Sequence, residues 1–325
     1  MTATAVQIRP NSRLQKTLSG RLALVMRYVF YGDNGIGKST LASHSPKPIW
    51  FDIEDGSGRL DVDRYSFHDG VNGHVPSSYA DVLSAIDDLI QSDHGYQTLV
   101  IDTLDRLEAL LWQDICRRNK KESIEDFGYG RGYTAALDEW RRLCLSLDRL
   151  RTAKRMSVVI LAHSHIRTFK SPTTDDYDRY QLRVNDKAAG FLKEWADVVG
   201  FCAFEEGGAK LDKDDDRAKG YSTGKRFVHF ERTAAYDAKT RIVLPSKIEL
   251  DPRNPWEPLA KAVDDGVNLS ADELRALMDA ELARIADPEL TAKVLASAKK
   301  IGDDVEALSR FVNSLKKQPT KPVTT

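Results

Sequence analysis

The chain has 325 residues, 41% hydrophobic and 30% charged, with 48 basic against 49 acidic residues and a net charge of −1. Such a balance suits a globular protein with one large unit and a small second one, and it excludes a global basic field that recruits nucleic acid, so any such binding has to come from local patches. Apolar runs such as 22–26 and 158–162 are too short to cross a bilayer, and the first six residues lack a basic stretch followed by an apolar one, so neither a membrane partner nor secretion is expected.

Residues 1–20 are polar and weakly patterned and read as a flexible arm. A strand over 24–30 feeds Gly32-Asp33-Asn34-Gly35-Ile36-Gly37-Lys38-Ser39-Thr40, which fits the pattern G-x-x-x-x-G-K-S/T. The chemistry asks for those residue types. Glycines let backbone N–H groups wrap phosphates, Lys38 reaches the β/γ oxygens, Ser39 can ligate Mg²⁺, and a short helix over 38–43 points its positive end at the anion. Nucleotide binding, with ATP and Mg²⁺, is therefore expected. Residues 48–53 form an apolar strand closed by acids; Glu54 can orient or deprotonate an attacking water, with Asp52 and Asp55 as alternatives.

Helical spacing of Val82, Ala85, Ile86, Leu89 and Ile90 predicts a helix over 79–92, and Thr98-Leu99-Val100-Ile101-Asp102 reads as a buried parallel strand. Asp102 at its end suits the Mg²⁺ shell of a phosphate-loop enzyme. A helix through Leu104 and Leu111 leads to a basic run, 117–121, and then to Gly128-Tyr129-Gly130-Arg131-Gly132-Tyr133. Leu137, Trp140, Leu143, Leu147 and Leu150 stripe a long helix, and 157–162 is another buried strand. The stretch 168–187 is polar and reads as a mobile loop; helix resumes over 188–194, and strand over 198–204. Residues 205–225 read as a flexible hairpin tip, 226–231 and 241–244 as further strands. Beyond Pro252 the pattern is helical, with a capping box at Ser270–Glu273 and a Pro at a helix start at 288. Residues 316–325 read as a disordered tail. Cys116, Cys144 and Cys202 form no C-x-x-C pair and read as buried thiols of a reducing cytoplasm.

Strands alternating with helices give an α/β fold with a mainly parallel sheet over 21–250 and a small helical region over 251–315. Ligands then sit beyond the strands' carboxyl ends, where 32–39, Glu54, Asp102 and His163 all fall.

Residues 50–55 resemble the strand of RecA-type recombinases that ends in the catalytic glutamate, 99–103 their magnesium-binding strand, and 159–167 the strand whose terminal polar residue senses the γ-phosphate. Residues 234–241 resemble the segment that sends basic residues into a neighbouring subunit's ATP. The combination is most similar to phage-encoded RecA-like ATPases of the single-strand annealing (Sak) group, over roughly 28–250. The chain differs from the bacterial recombinases in carrying histidine where they have glutamine, and in its short helix after the phosphate loop.

That resemblance implies a RecA-like ATPase core, Glu54 on water, His163 as reporter (Ser164 or His165 under a register shift), and Lys239 and Arg241 acting from a neighbour in a ring or filament. It also implies DNA-contacting loops. In the first, Tyr129, Arg131 and Tyr133 can stack on bases or pair with phosphate. In the second, Lys170, Arg179, Arg183 and Lys187 are the cations, opposed by Asp175, Asp176 and Asp178. The expected activity is ATP-dependent annealing or pairing of single-stranded DNA, with a single-strand-binding protein as a further partner; a hexameric helicase-like motor and a nucleotide-switched adaptor are the alternatives.

Overall fold

The strands at the centre of the fold are buried at nearly every position: Arg27–Gly32 (β1), Pro48–Asp52 (β2), Thr98–Asp102 (β4) and the first half of Ser157–Phe169 (β5). Strands buried on both faces belong to a parallel sheet covered by helices, and this is what forms. The computed structural model describes residues 25–70, 73–171, 173–209, 219–316 and 318. The arm expected over 1–20, most of the tail expected from 316, and residues 210–218 of the expected hairpin tip lie outside the described residues.

With Asp63–Arg64 (β3), Tyr177–Leu182 (β6), Val198–Ala209 (β7), Lys219–His229 (β8), Lys239–Thr240 (β9) and Lys247–Glu249 (β10), the sheet has ten strands among the described residues, in the order β10-β8-β7-β1-β5-β4-β2-β3, with β6 paired to β5 and β9 to β7. From β3 to β7 every neighbouring pair is parallel, and β8 and β10 extend the sheet antiparallel. The fold class is thus α/β with a mainly parallel sheet.

Alternate residues of one strand face opposite ways, and the two faces build two cores. Val29 and Tyr31 pack with Tyr79–Gln91 (α2), Leu104–Arg118 (α3), Arg131–Lys154 (α4) and Asp186–Trp195 (α5). Tyr28 and Phe30 pack with Lys38–Ser43 (α1), with Trp256 and with Leu259 and Val263 of Glu257–Asn268 (α6), which Trp256 precedes. A third core, around Leu274, Met278, Leu308 and Val312, joins Ala271–Ile285 (α7), Pro288–Ile301 (α8) and Val305–Leu315 (α9) and takes in Val243. The three cysteines are buried and free, and no described helix is long and apolar enough to cross a membrane.

Three readings change. The stretch 168–187 is not a mobile loop throughout: β5 runs on to Phe169 and pairs antiparallel with β6, Ser164 opposite Leu182 and Phe169 opposite Tyr177. A hairpin standing out from the sheet has both faces partly wet, so the alternation that marks a strand is weak. The long helix begins at Arg131, directly after Gly130, so half of the expected glycine-rich loop is its first turn. Residues 241–244 form no strand; the chain turns there between β9 and β10.

Candidate nucleotide site

The carboxyl ends of β1, β2, β4 and β5 come together in register: Gly32 lies opposite His163, Asp52 opposite Asp102, and Asp102 opposite Leu161. Above them opens a cavity of about 800 Å³, lined by the phosphate loop, Glu54, Asp102, Asp105 and His163 among others.

The loop is pinned by its one apolar member, Ile36, only 1% exposed, and turned by Gly35 and Gly37 with φ of 75° and 103°. Gly32 has a different reason: a Cβ there would lie 2.2 Å from the carbonyl oxygen of Cys202, because β7 passes alongside. No side chain caps the amino end of α1. Lys38 is buried, and burial pulls its pKa down. Its ammonium donates to the carbonyls of Gly32 and Asp33, both at 2.9 Å, which leaves one of three N–H groups for an anion.

Asp102 is 1% exposed and accepts from the Ser39 hydroxyl at 2.9 Å through Oδ2. Its Oδ1 is buried with no partner among the described residues. Burial pushes its pKa up to about 7, with Glu54 and Asp52 adding and Ser39 and Lys38 opposing. A buried carboxylate with one unanswered oxygen beside a hydroxyl fits Mg²⁺, a hard cation that takes oxygen ligands.

Glu54 is half-buried and accepts from Thr103 Oγ1 at 2.9 Å, so the residue after Asp102 fixes its carboxylate. Asp52 is consumed elsewhere. It is fully buried and accepts from the backbone N–H groups of Gly56 at 3.0 Å and Ser57 at 2.9 Å, and from the Ser57 hydroxyl, which Arg64 in turn holds. Asp55 is turned out to His74 at 2.9 Å. Of the three acids, Glu54 alone lines the cavity.

Among the polar residues at the end of β5, His163 lines the cavity, with Nδ1 3.0 Å from Asp105 Oδ2. Burial raises Asp105, but hydrogen bonding and charge from His163 outweigh it and hold the carboxyl below its usual range. Ser164 donates to Asp33 of the phosphate loop. His165 is in the β5–β6 hairpin, its Nε2 buried without a partner among the described residues and its pKa lowered by burial and by Arg167.

Lys239 and Arg241 stand apart from this cavity. Lys239 Nζ donates to the carbonyls of Lys193, Glu194 and Ala196 at 2.8, 2.8 and 3.0 Å, closing the carboxyl end of α5. Arg241 pairs with Asp197 at 3.2 Å and donates to Glu194 O at 2.7 Å.

The expected DNA residues separate. Tyr129 is 99% exposed at a tip where residues 128, 129 and 130 all have positive φ, and Arg131 is exposed beside it. Tyr133 folds back, its hydroxyl on Glu125 and its ring edge-on to Trp112 at 5.4 Å. Lys170 is exposed near the hairpin turn. Arg179 is corrected: it is 3% exposed and donates to Thr233 O, Tyr236 O and Asp237, so it cannot meet DNA. Arg183, expected among the DNA cations, is exposed and lines the nucleotide cavity.

Sequence reasoning missed Thr103, Asp105, Arg106 and Arg226, which also line it. Asp105 and Arg106 sit within one helical turn of Asp102, a spacing that could have suggested them. Arg226 carries no local signal, since only strand pairing brings it near the loop.

A family model described as AAA domain matches residues 25–242, more than half of the chain. No curated protein matches it.

Proposed function

The chain belongs to the AAA domain family, and on that premise we propose that it is an Mg²⁺-dependent ATPase that couples hydrolysis to the handling of single-stranded DNA, promoting annealing or pairing of strands. The observation that carries the ATPase reading is the buried, unanswered Oδ1 of Asp102, with its other oxygen on Ser39, in a cavity that Lys38 and Glu54 also line.

In this reading Lys38 and the loop N–H groups hold the phosphates of ATP, and Ser39 and Asp102 hold Mg²⁺. The metal, when bound, offsets charge on the phosphates. Glu54, held by Thr103, orients the attacking water and takes its proton. His163, steadied by Asp105, faces the cavity from the strand next to the loop and reports on the phosphate chain.

Single-stranded DNA is the partner because an aromatic ring is held fully outside the fold at Tyr129, with Arg131 beside it, and because the motifs resemble annealing-type recombinases. Assembly into a ring or filament rests on that resemblance.

The test is ATP turnover with and without single-stranded DNA across protein concentration. Turnover should require Mg²⁺, rise with DNA, and fall by about 10²–10³-fold or more in Lys38→Ala. Normal hydrolysis by that variant would show the loop to be misread. Tyr129→Ala should weaken single-strand affinity by about 1–3 kcal/mol at moderate salt with the fold untouched, since stacking is worth that much per base. Unchanged affinity would remove DNA from the proposal and leave the ATPase.

A further inference from the structure

The cavity has a wall that the phosphate-loop motif does not supply. Arg226 stands on β8 opposite Phe204 of β7, and its guanidinium lies over the Phe204 ring, 5.4 Å from the centroid. Directly opposed residues of an antiparallel pair share one face, which places the ring to carry the cation. The pairing register shifts between Phe204 and Glu206, an irregularity of the kind that re-aims side chains. The guanidinium ends against the loop: a Cβ added to Gly37 would lie 3.0 Å from Arg226 Nη1.

Its neighbours are neutralised. Lys225 pairs with Glu249 at 3.1 Å and Lys247 with Glu205 at 3.4 Å. Arg226 is exposed and, among the described residues, has no carboxylate within ion-pair reach. An aromatic face fixes a guanidinium without cancelling its charge, so the positive field stays available. Arg226 also lines a second cavity of about 410 Å³, bounded by Thr223, Leu250, Pro252 and Pro255; the two cavities meet at Gly37, Thr40 and Arg226.

We infer that Arg226 is a nucleotide-binding residue acting in the same chain as the phosphate loop, its guanidinium donating to phosphate oxygens where the nucleotide passes from the first cavity to the second. This rests on the reading of the first cavity as an ATP site. A guanidinium suits the task, because its planar fork matches two oxygens of one phosphate.

The test is equilibrium binding of Mg²⁺–ADP, together with ATP turnover, for the full chain, Arg226→Ala, Arg226→Lys and Lys38→Ala. Arg226→Ala should bind about 10- to 100-fold more weakly, as loss of a charged hydrogen bond predicts, with the unfolding midpoint unchanged. Arg226→Lys should recover part of the loss, as a point charge without the fork. Equal mixtures of Arg226→Ala and Lys38→Ala should regain no turnover, because neither chain holds both groups; recovery on mixing would overturn the same-chain assignment. ADP affinity of Arg226→Ala equal to the parent's, while Lys38→Ala loses it, would overturn the inference and leave the ATP reading standing. A parent that binds no nucleotide overturns both.

Discussion

At the carboxyl end of α5, Asp197 meets Arg27 at 2.7 Å, Arg241 at 3.2 Å and Arg151 at 3.5 Å, while Lys239 fills three carbonyls. In the nucleotide cavity, at the opposite end of β1, Arg106, Arg183 and Arg226 meet no carboxylate among the described residues, and Asp102 keeps an unanswered oxygen. Both regions are built from the same residue types. The first spends its charges on itself: hydrogen bonds and charge from Arg27 overcome burial and hold Asp197 below the usual carboxylate range. The second keeps charges of both signs unsatisfied, which costs stability and suits a ligand that brings the opposite charges with it.

The widest gap between the regions should show in unfolding. Asp197→Ala removes a buried carboxylate and leaves the half-buried Arg27 and Arg151 without their shared partner, and chemical denaturation should record a loss of about 3–5 kcal/mol. Lys38→Ala, which removes a buried cation from the other region, should unfold no earlier than the parent while losing turnover. A large loss of stability there would erase the contrast.

The amino end of α5 sharpens it. Glu108 of α3 accepts the backbone N–H of Asn185 at 3.0 Å, and burial pushes its pKa from 4.5 up to about 7, with that hydrogen bond opposing. The fold therefore favours the protonated acid. Stability is fully present below the unfolded value and is lost as pH rises toward the folded one. Glu108→Gln should match the parent near pH 4 and exceed it by roughly 3 kcal/mol near pH 8, measured by denaturation at each pH. A parent whose stability is flat over that window would show Glu108 to be ionised at no cost.

The smallest effect bears on the expected fingers. Lys239→Ala should cost about 1–3 kcal/mol, because three carbonyls lose a donor, with turnover per folded molecule unchanged. Collapse of turnover with unchanged unfolding would move Lys239 into the other class and restore its role across an interface.

What could be read in the sequence follows from how local each signal is. The loop over 32–40 is contiguous, and Glu54 and Asp102 end apolar runs, so all three could be placed from neighbours in the chain. The exclusion of Asp52 as the alternative to Glu54 could not, because it depends on Ser57 and Arg64 claiming Asp52 through a turn. Arg179 looked like a free cation in a polar stretch; only the packing of β6 against the segment around Tyr236 buries it. Arg226 is invisible for the converse reason: its place beside Gly37 comes from a cross-strand register with Phe204. Helix starts misled as well, since Gly130 reads as loop and yet caps α4.

The close passage of β7 at Gly32 has a consequence for how this loop can change over time. A methyl group there would collide with the main chain of the adjoining strand before it met any phosphate, so the motif's opening glycine is owed to the sheet. A descendant that abandoned nucleotides altogether would be free to lose Lys38, but the same freedom would not extend to Gly32.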